Sequence, residues 1–141
     1  MSAEPDRWRT IRHLLACRSG HRCEICGCTL GPGNEGTAHH RDARGMGGTR
    51  RPDIDDLCNL LLLCGGSLAQ KCHRWVEDHY EAAVAAGWRV PDGLDPAAAP
   101  VVLAGGRRVL LHRTQPLYLP PADGRLYDLD APVLKNGVLL T

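Results

Sequence analysis

Phenylalanine is absent from the 141 residues, and the aromatic complement is three Trp and three Tyr. Aliphatic side chains must therefore fill most of the interior, and so short a chain buries only a modest core. Long apolar runs are missing as well. The longest, Leu60 to Leu63, stops at Cys64, far short of the ~18 residues a membrane span needs, so a soluble protein with no membrane partner is expected. Nothing like a secretory leader precedes the cysteines, because the opening MSAEPDRWRTIR is polar and charged. The expected setting is a reducing cytoplasm, where seven cysteines serve more often as metal ligands than as disulfides. Net charge is small, formally +1, which argues against nucleic-acid binding by bulk charge. Its distribution is uneven, however. Residues 1–51 carry nine arginines against Glu4, Asp6, Glu24, Glu35 and Asp42, and that asymmetry fits a phosphate-facing surface on one side of the molecule.

What is present divides into three stretches. In residues 1–18, Trp8, Ile11, Leu14 and Leu15 recur with the period of one helix face, predicting a helix from Glu4 to Ala16 with Pro5 in its first turn. Residues 19–88 begin with cysteines broken up by Gly, Pro and Asn from Ser19 to Gly36, the composition of a metal-held knuckle. A short strand is expected over Thr37 to Arg41. After it, Gly45-Met46-Gly47-Gly48 is flanked by Arg41, Arg44, Arg50 and Arg51, a combination suited to contact with a phosphate backbone. A helix is predicted from about Leu68 to Ala86, with Cys72, Trp75, Val76, His79, Tyr80 and Ala83 sharing one buried face and Gly87 stopping it. Residues 89–141 read as a Pro/Ala linker, Pro91 to Pro100, and a β-rich extension. There Val101-Val102-Leu103 and Val109-Leu110-Leu111 flank Gly105-Gly106 as a hairpin, and further short strands are expected at Leu117 to Leu119, Leu126 to Leu129 and Val133 to Leu140.

Cys23-x-x-Cys26 places two thiolates on a tight turn, and Cys64 with Cys72 supplies two more, closing a tetrahedral shell that suits Zn²⁺. The second pair is unusual, because seven residues, Gly65 to Lys71, must loop out between its members. Cys28 competes for the site, but Cys26-x-Cys28 would need a more strained bite; Cys17 and Cys58 have no near partners in sequence. Four thiolates leave no open position, so this metal would be structural and would contribute folding energy outright.

Between and beside the cysteines stand His39-His40, Asn59 and His73, in the running text HHRDARGMGG, DDLCNLLLLC and CHRWVE. Over roughly Cys23 to His79 the chain resembles the zinc-containing branch of the HNH endonuclease family, and in particular HNH proteins encoded by phages. The resemblance implies an α+β protein with a small ββα-metal core, a four-cysteine zinc knuckle, the N-terminal helix and a β-rich C-terminal extension. It implies a metal-dependent phosphodiester hydrolase that nicks or cuts DNA with weak sequence specificity. By the family pattern His40 is the general base, a task for which a neutral imidazole is generally suited because histidine's unperturbed pKa of about 6.5 lies near working pH. His39 points to the opposite face of a strand and would be a ligand of the catalytic divalent ion, with His73 as the second ligand. Asn59 would hold His40 or its loop through its side-chain amide.

Many relatives carry a further histidine four residues after the helix histidine, where this chain has Glu77. That position is one turn on and on the same face, and an oxygen donor there favours Mg²⁺ or Mn²⁺. His79, six residues on, is rotated by roughly 120° from His73 and reads as a packed side chain; His13, His21 and His112 have no context. The implied partners are DNA and, in the phage setting and host cytoplasm, a terminase or other packaging protein. Two further function classes compete with the nuclease: a zinc-stabilised DNA-binding module without catalysis, and a zinc knuckle for protein contacts. The first has no need of His40, Asn59 and His73 together; the second need not exclude nuclease activity.

Overall fold

Helix α1 forms over Glu4–Ser19 and buries the apolar stripe read from its spacing. Ile11 and Leu15 pack with Leu57, Leu60 and Leu62, while Trp8 and Leu14 flank them. It runs three residues past the expected end and stops where Gly20 and His21 take positive φ and the His21 amide donates to the Ala16 carbonyl. The computed structural model describes residues 4–43, 53–66 and 70–141.

Strands β1, Gly36–His40, and β2, Leu60–Cys64, pair antiparallel with Gly36 opposite Cys64 and His40 opposite Leu60. Alternation then assigns the faces. Ala38, Leu60 and Leu62 face α1. Leu61 and Leu63 face the other way, packing with Cys72, Trp75 and Val76 of helix α2, Lys71–Asp78. His39 sits on the α2 side of β1 and His40 on the α1 side, as the strand period requires.

The single long helix expected from Leu68 to Ala86 is corrected by the structure to two: α2 and a short α3, Tyr80–Ala85. Leu68 itself lies outside the described residues. The break is at His79 (φ −129°, ψ 67°), where the ring Nδ1 bonds the Trp75 carbonyl at 2.8 Å. That carbonyl would otherwise accept the His79 amide of a continuous helix. The buried stripe is cut accordingly. Cys72, Trp75, Val76 and Ala83 are buried, whereas His79 is exposed with its ring stacked on Trp75, and Tyr80 is half-exposed. Gly87 does end the helical stretch: at φ 78°, a Cβ there would meet the Pro100 carbonyl oxygen at 1.9 Å.

The C-terminal third shares the central core rather than extending from it. Val101, Val102, Leu103, Val109, Leu111 and Leu134 are buried in the same cluster as Cys64, Trp75 and Trp88. The predicted hairpin is present as β3, Val101–Val102, and β4, Arg108–Leu111, turning through Gly105 and Gly106 at positive φ. Strand β5, Tyr118–Leu119, extends it, and β6, Leu134–Lys135, pairs with β7, Val138–Leu139. Leu126 to Leu129 makes only the isolated bridge of Tyr127 to Arg107. The chain is therefore α+β, with short antiparallel sheets and helices packed around two buried clusters, one on each face of the β1–β2 hairpin. No helix among the described residues is long and apolar enough to cross a membrane.

A buried ion pair binds these parts together. Arg18 donates to both carboxylate oxygens of Glu24, at 3.0 and 2.8 Å, and both side chains are wholly inaccessible. Arg18 also reaches the carbonyls of Leu57 and Leu60, and Glu24 accepts from the Leu62 amide and the Tyr118 hydroxyl. Burial and the adjacent carboxylate hold the Tyr118 hydroxyl protonated, well above its ordinary pKa. Helix α1, the knuckle, β2 and β5 thus meet on one carboxylate. Removing it strands a buried guanidinium, which costs about 3–5 kcal/mol. Glu24→Ala is accordingly expected to lower unfolding free energy by about that much in urea titrations of the metal-loaded protein; a loss under about 1 kcal/mol, the usual value of an exposed pair, would contradict the network's role.

Candidate metal centres

Cys23 and Cys26 come from the knuckle after α1, Cys64 ends β2, and Cys72 is the second residue of α2. Their four Sγ atoms lie within 4.8 Å of one another. A tetrahedral Zn²⁺ with Zn–S near 2.3 Å requires S···S distances of about 3.8 Å, and Cys26 and Cys64 are 3.8 Å apart. The knuckle is held by amides folding onto it: Gly27 donates to the Cys23 carbonyl and Cys26 to the Cys23 sulfur. The unusual Cys64–Cys72 spacing is closed by Gly65, at φ 134°, where a Cβ would meet the Gln70 carbonyl oxygen at 1.8 Å.

The thiols compete for protons. Hydrogen bonds from Cys23, Cys64 and Cys72 push the Cys26 thiol far below its ordinary value, while Cys23 and Cys26 push Cys64 and Cys72 up. A cation amid the four sulfurs is what allows all to ionise together. The cluster can hold a metal such as zinc. Cys28, by contrast, accepts from the Asn34 amide, Cys58 is buried elsewhere, and Cys17 is exposed beside His13.

A second donor cluster joins β1 to α2. His39, His73 and Glu77 each offer a ligand atom within 4.8 Å of the others, with Glu77 Oε1 3.7 Å from both His39 Nδ1 and His73 Nε2. Strand position brings His39, and the one-turn spacing of α2 aligns His73 with Glu77. The remaining ring nitrogens are engaged behind them. His39 Nε2 donates to the Trp88 carbonyl at 2.9 Å, an acceptor only, which leaves Nδ1 with its lone pair toward Glu77. His73 Nδ1 contacts the Thr37 hydroxyl at 2.8 Å. Burial pushes the pKa of His39 down to about 3 and lowers that of His73, so both rings are neutral near pH 7, as ligands must be. Arg89 engages the other Glu77 oxygen at 3.0 Å. Thr37 could have been found from the strand period, which puts it on the His39 face; a carbonyl 49 residues away in the chain has no such signature.

His40 ends β1 on the far face. Its Nε2 lies 2.7 Å from Asp55 Oδ1, Arg7 donates to Asp55 Oδ2 at 2.8 Å, and Trp8 meets the ring edge-on. Desolvation alone would raise the Asp55 pKa, but the His40 and Arg7 bonds together outweigh it and hold the carboxyl below its ordinary range. Asn59 is fully buried, and its side-chain hydrogen bonds go to backbone groups rather than to the His40 ring. Its amide oxygen accepts from the Asp42 amide, and its nitrogen donates to the Asp42 and Ile54 carbonyls on either side of the segment that follows β1.

Arg41 is a correction. Expected at a DNA-facing surface, it is fully buried and donates to the carbonyls of Gly87, Cys58, Pro96 and Ala99. These carbonyls arrive from segments distant in sequence, including the turn at Pro96–Ala98 within the stretch expected to be a linker. Arg44, Arg50 and Arg51, with the glycines between them, lie outside the described residues.

No protein-family model, curated protein or solved structure matches the chain.

Proposed function

We propose that this chain is a divalent-metal-dependent DNA endonuclease of HNH type, with a structural zinc in the Cys23, Cys26, Cys64, Cys72 cluster. The observation that carries this reading is the convergence of His39, His73 and Glu77 on one point, with a fourth polar residue, His40, at the end of the same strand. The order hairpin β1–β2 then helix α2, with the cysteines anchoring both, fits a ββα-metal core.

His39, His73 and Glu77 would hold Mg²⁺ or Mn²⁺, for which a carboxylate oxygen is a suitable donor. When bound, that ion supplies Lewis acidity at the phosphate and charge stabilisation of the leaving 3′ oxygen. The protein's own part is proton transfer and positioning. His40 takes the proton of the attacking water as its oxygen bonds to phosphorus. The bond to the 3′ oxygen breaks with its electron pair, and that oxygen takes a proton from solvent. His40 is the last residue of β1, so a phosphate laid across that end of the hairpin can be reached from both faces. Arg44, Arg50 and Arg51 are the backbone-contacting residues of this reading; Arg41 is not. Weak sequence specificity follows from contacts to phosphate rather than base edges, and a phage packaging protein such as a terminase is the corresponding partner.

A zinc-stabilised module that only binds DNA, or only a protein, has no use for two metal-ready histidines and a carboxylate beside a third histidine. Supercoiled plasmid incubated with the zinc-loaded protein is expected to be nicked when Mg²⁺ or Mn²⁺ is added and to stay intact with EDTA. Intact plasmid under every metal condition, despite DNA retention in a gel-shift assay, would favour the binding module instead.

A further inference from the structure

An acidic residue and the N-terminal helix close around His40. Asp55 places both carboxylate oxygens in use, Oδ1 on His40 Nε2 and Oδ2 on Arg7 of α1, and its side chain is only 7 % exposed. An ionised carboxylate only accepts hydrogen bonds. The proton between Asp55 and His40 must then belong to Nε2. Among the described residues nothing hydrogen-bonds to Nδ1, and Trp8 packs edge-on against the ring at 6.0 Å between centroids, restricting its rotation.

We infer that Asp55, itself held by Arg7, is a positioning residue: it fixes His40 as the Nε2–H tautomer and so presents Nδ1 as the atom that accepts the water proton. This rests on the nuclease reading. It also gives α1 a task in the site, because Arg7 and Trp8 reach His40 and its partner from that helix. During hydrolysis the proton moves from water to Nδ1, Nε2–H stays bonded to Asp55, and the imidazolium so formed lies against a carboxylate that stabilises it.

Asp55→Asn tests the inference with little change of shape. A carboxamide can donate as well as accept, and turning its NH₂ toward Nε2 allows the ring to hold its proton on Nδ1. Nitrogen-15 NMR of the zinc-loaded protein, at a pH where the ring is neutral, is expected to show His40 as Nε2–H in the wild type and shifted toward Nδ1–H in Asp55→Asn. Plasmid nicking should fall roughly 10²–10⁴-fold in kcat, the range of general-base catalysis, with KM within a few fold. In a His40→Ala background, Asp55→Asn should cost nothing further, since it acts through the ring. Arg7→Met should move the tautomer less, because the carboxylate remains.

A wild-type ring protonated on Nδ1, or an Asp55→Asn protein that keeps both the Nε2–H tautomer and the wild-type rate, overturns the inference and leaves the nuclease standing. A wild type with the expected tautomer that cuts no DNA with any divalent ion overturns the nuclease reading itself, and with it the role of Asp55 in positioning a base.

Discussion

Cys72→Ser is expected to abolish zinc retention and cooperative unfolding together. Apparent binding energies for structural zinc run at about 10–16 kcal/mol, while a small domain is stable by about 5–15 kcal/mol in total, so losing the metal is enough to unfold the chain. The position magnifies the effect. Cys72 is fully buried against Leu61, Leu63 and Trp75 in the core cluster, and through the shared metal it would tie α2 to the end of β2 and to the knuckle. Its neighbour His73 would move with it, so the second donor cluster fails too. Zinc content by colorimetric chelator assay should fall from one equivalent to near none, and near-ultraviolet dichroism from Trp75 and Trp88 should collapse. Cys28→Ser is the control: its sulfur is bound by Asn34 and stands outside the four-sulfur cluster, so zinc should stay at one equivalent. The reverse pattern, zinc lost with Cys28 and kept with Cys72, would replace the ligand set.

Residues whose chemistry is local were legible from the chain. The four cysteines are recoverable because metal ligation demands a small set of donors, and a loop of seven residues between Cys64 and Cys72 is long enough to fold back at Gly65. His39 and His73 came into view as a pair through the resemblance to the HNH family, and the one-turn helix spacing added Glu77 beside His73. The hairpin at Gly105-Gly106 was equally local.

What escaped was determined at long range. An arginine after two histidines looks like a phosphate ligand, yet Arg41 is consumed by carbonyls from residues 58 to 99. Nothing within its own segment announces them. Asp55 meets His40 across fifteen residues of chain, and Arg18 meets the Leu57 and Leu60 carbonyls across a fold that does not exist until the hairpin closes. The helix break has a different origin. The apolar period runs on past His79, but one side-chain hydrogen bond to Trp75 replaces a backbone one, and periodicity is blind to that exchange. The C-terminal strands look like an extension in the sequence because they are short. Their burial against Trp88, whose indole donates to Val102, makes them part of the core that a Phe-free chain of this size must complete.

Replacing His40 with Ala is expected to separate the base from the ligands. Nicking should fall by roughly 10²–10⁴-fold, the contribution of a positioned general base, whereas zinc content should not change and Mn²⁺ titration of the second cluster should give an unaltered affinity. The strand geometry dictates this outcome: His40 faces α1, and the donors His39, His73 and Glu77 face α2 or belong to it. Stability should drop by about 1–3 kcal/mol, since Asp55 loses a buried donor but retains Arg7. His73→Ala should behave differently, losing Mn²⁺ binding and cleavage in parallel. Added imidazole sharpens the contrast. A small base diffusing into the space left by His40 can accept the water proton and restore part of the rate, but it cannot rebuild a chelating site that has lost an arm. Rescue of His40→Ala and not of His73→Ala would therefore assign the two histidines their separate roles. Loss of Mn²⁺ affinity in His40→Ala would instead make this residue a ligand, and the general base would have to be sought among the groups that remain.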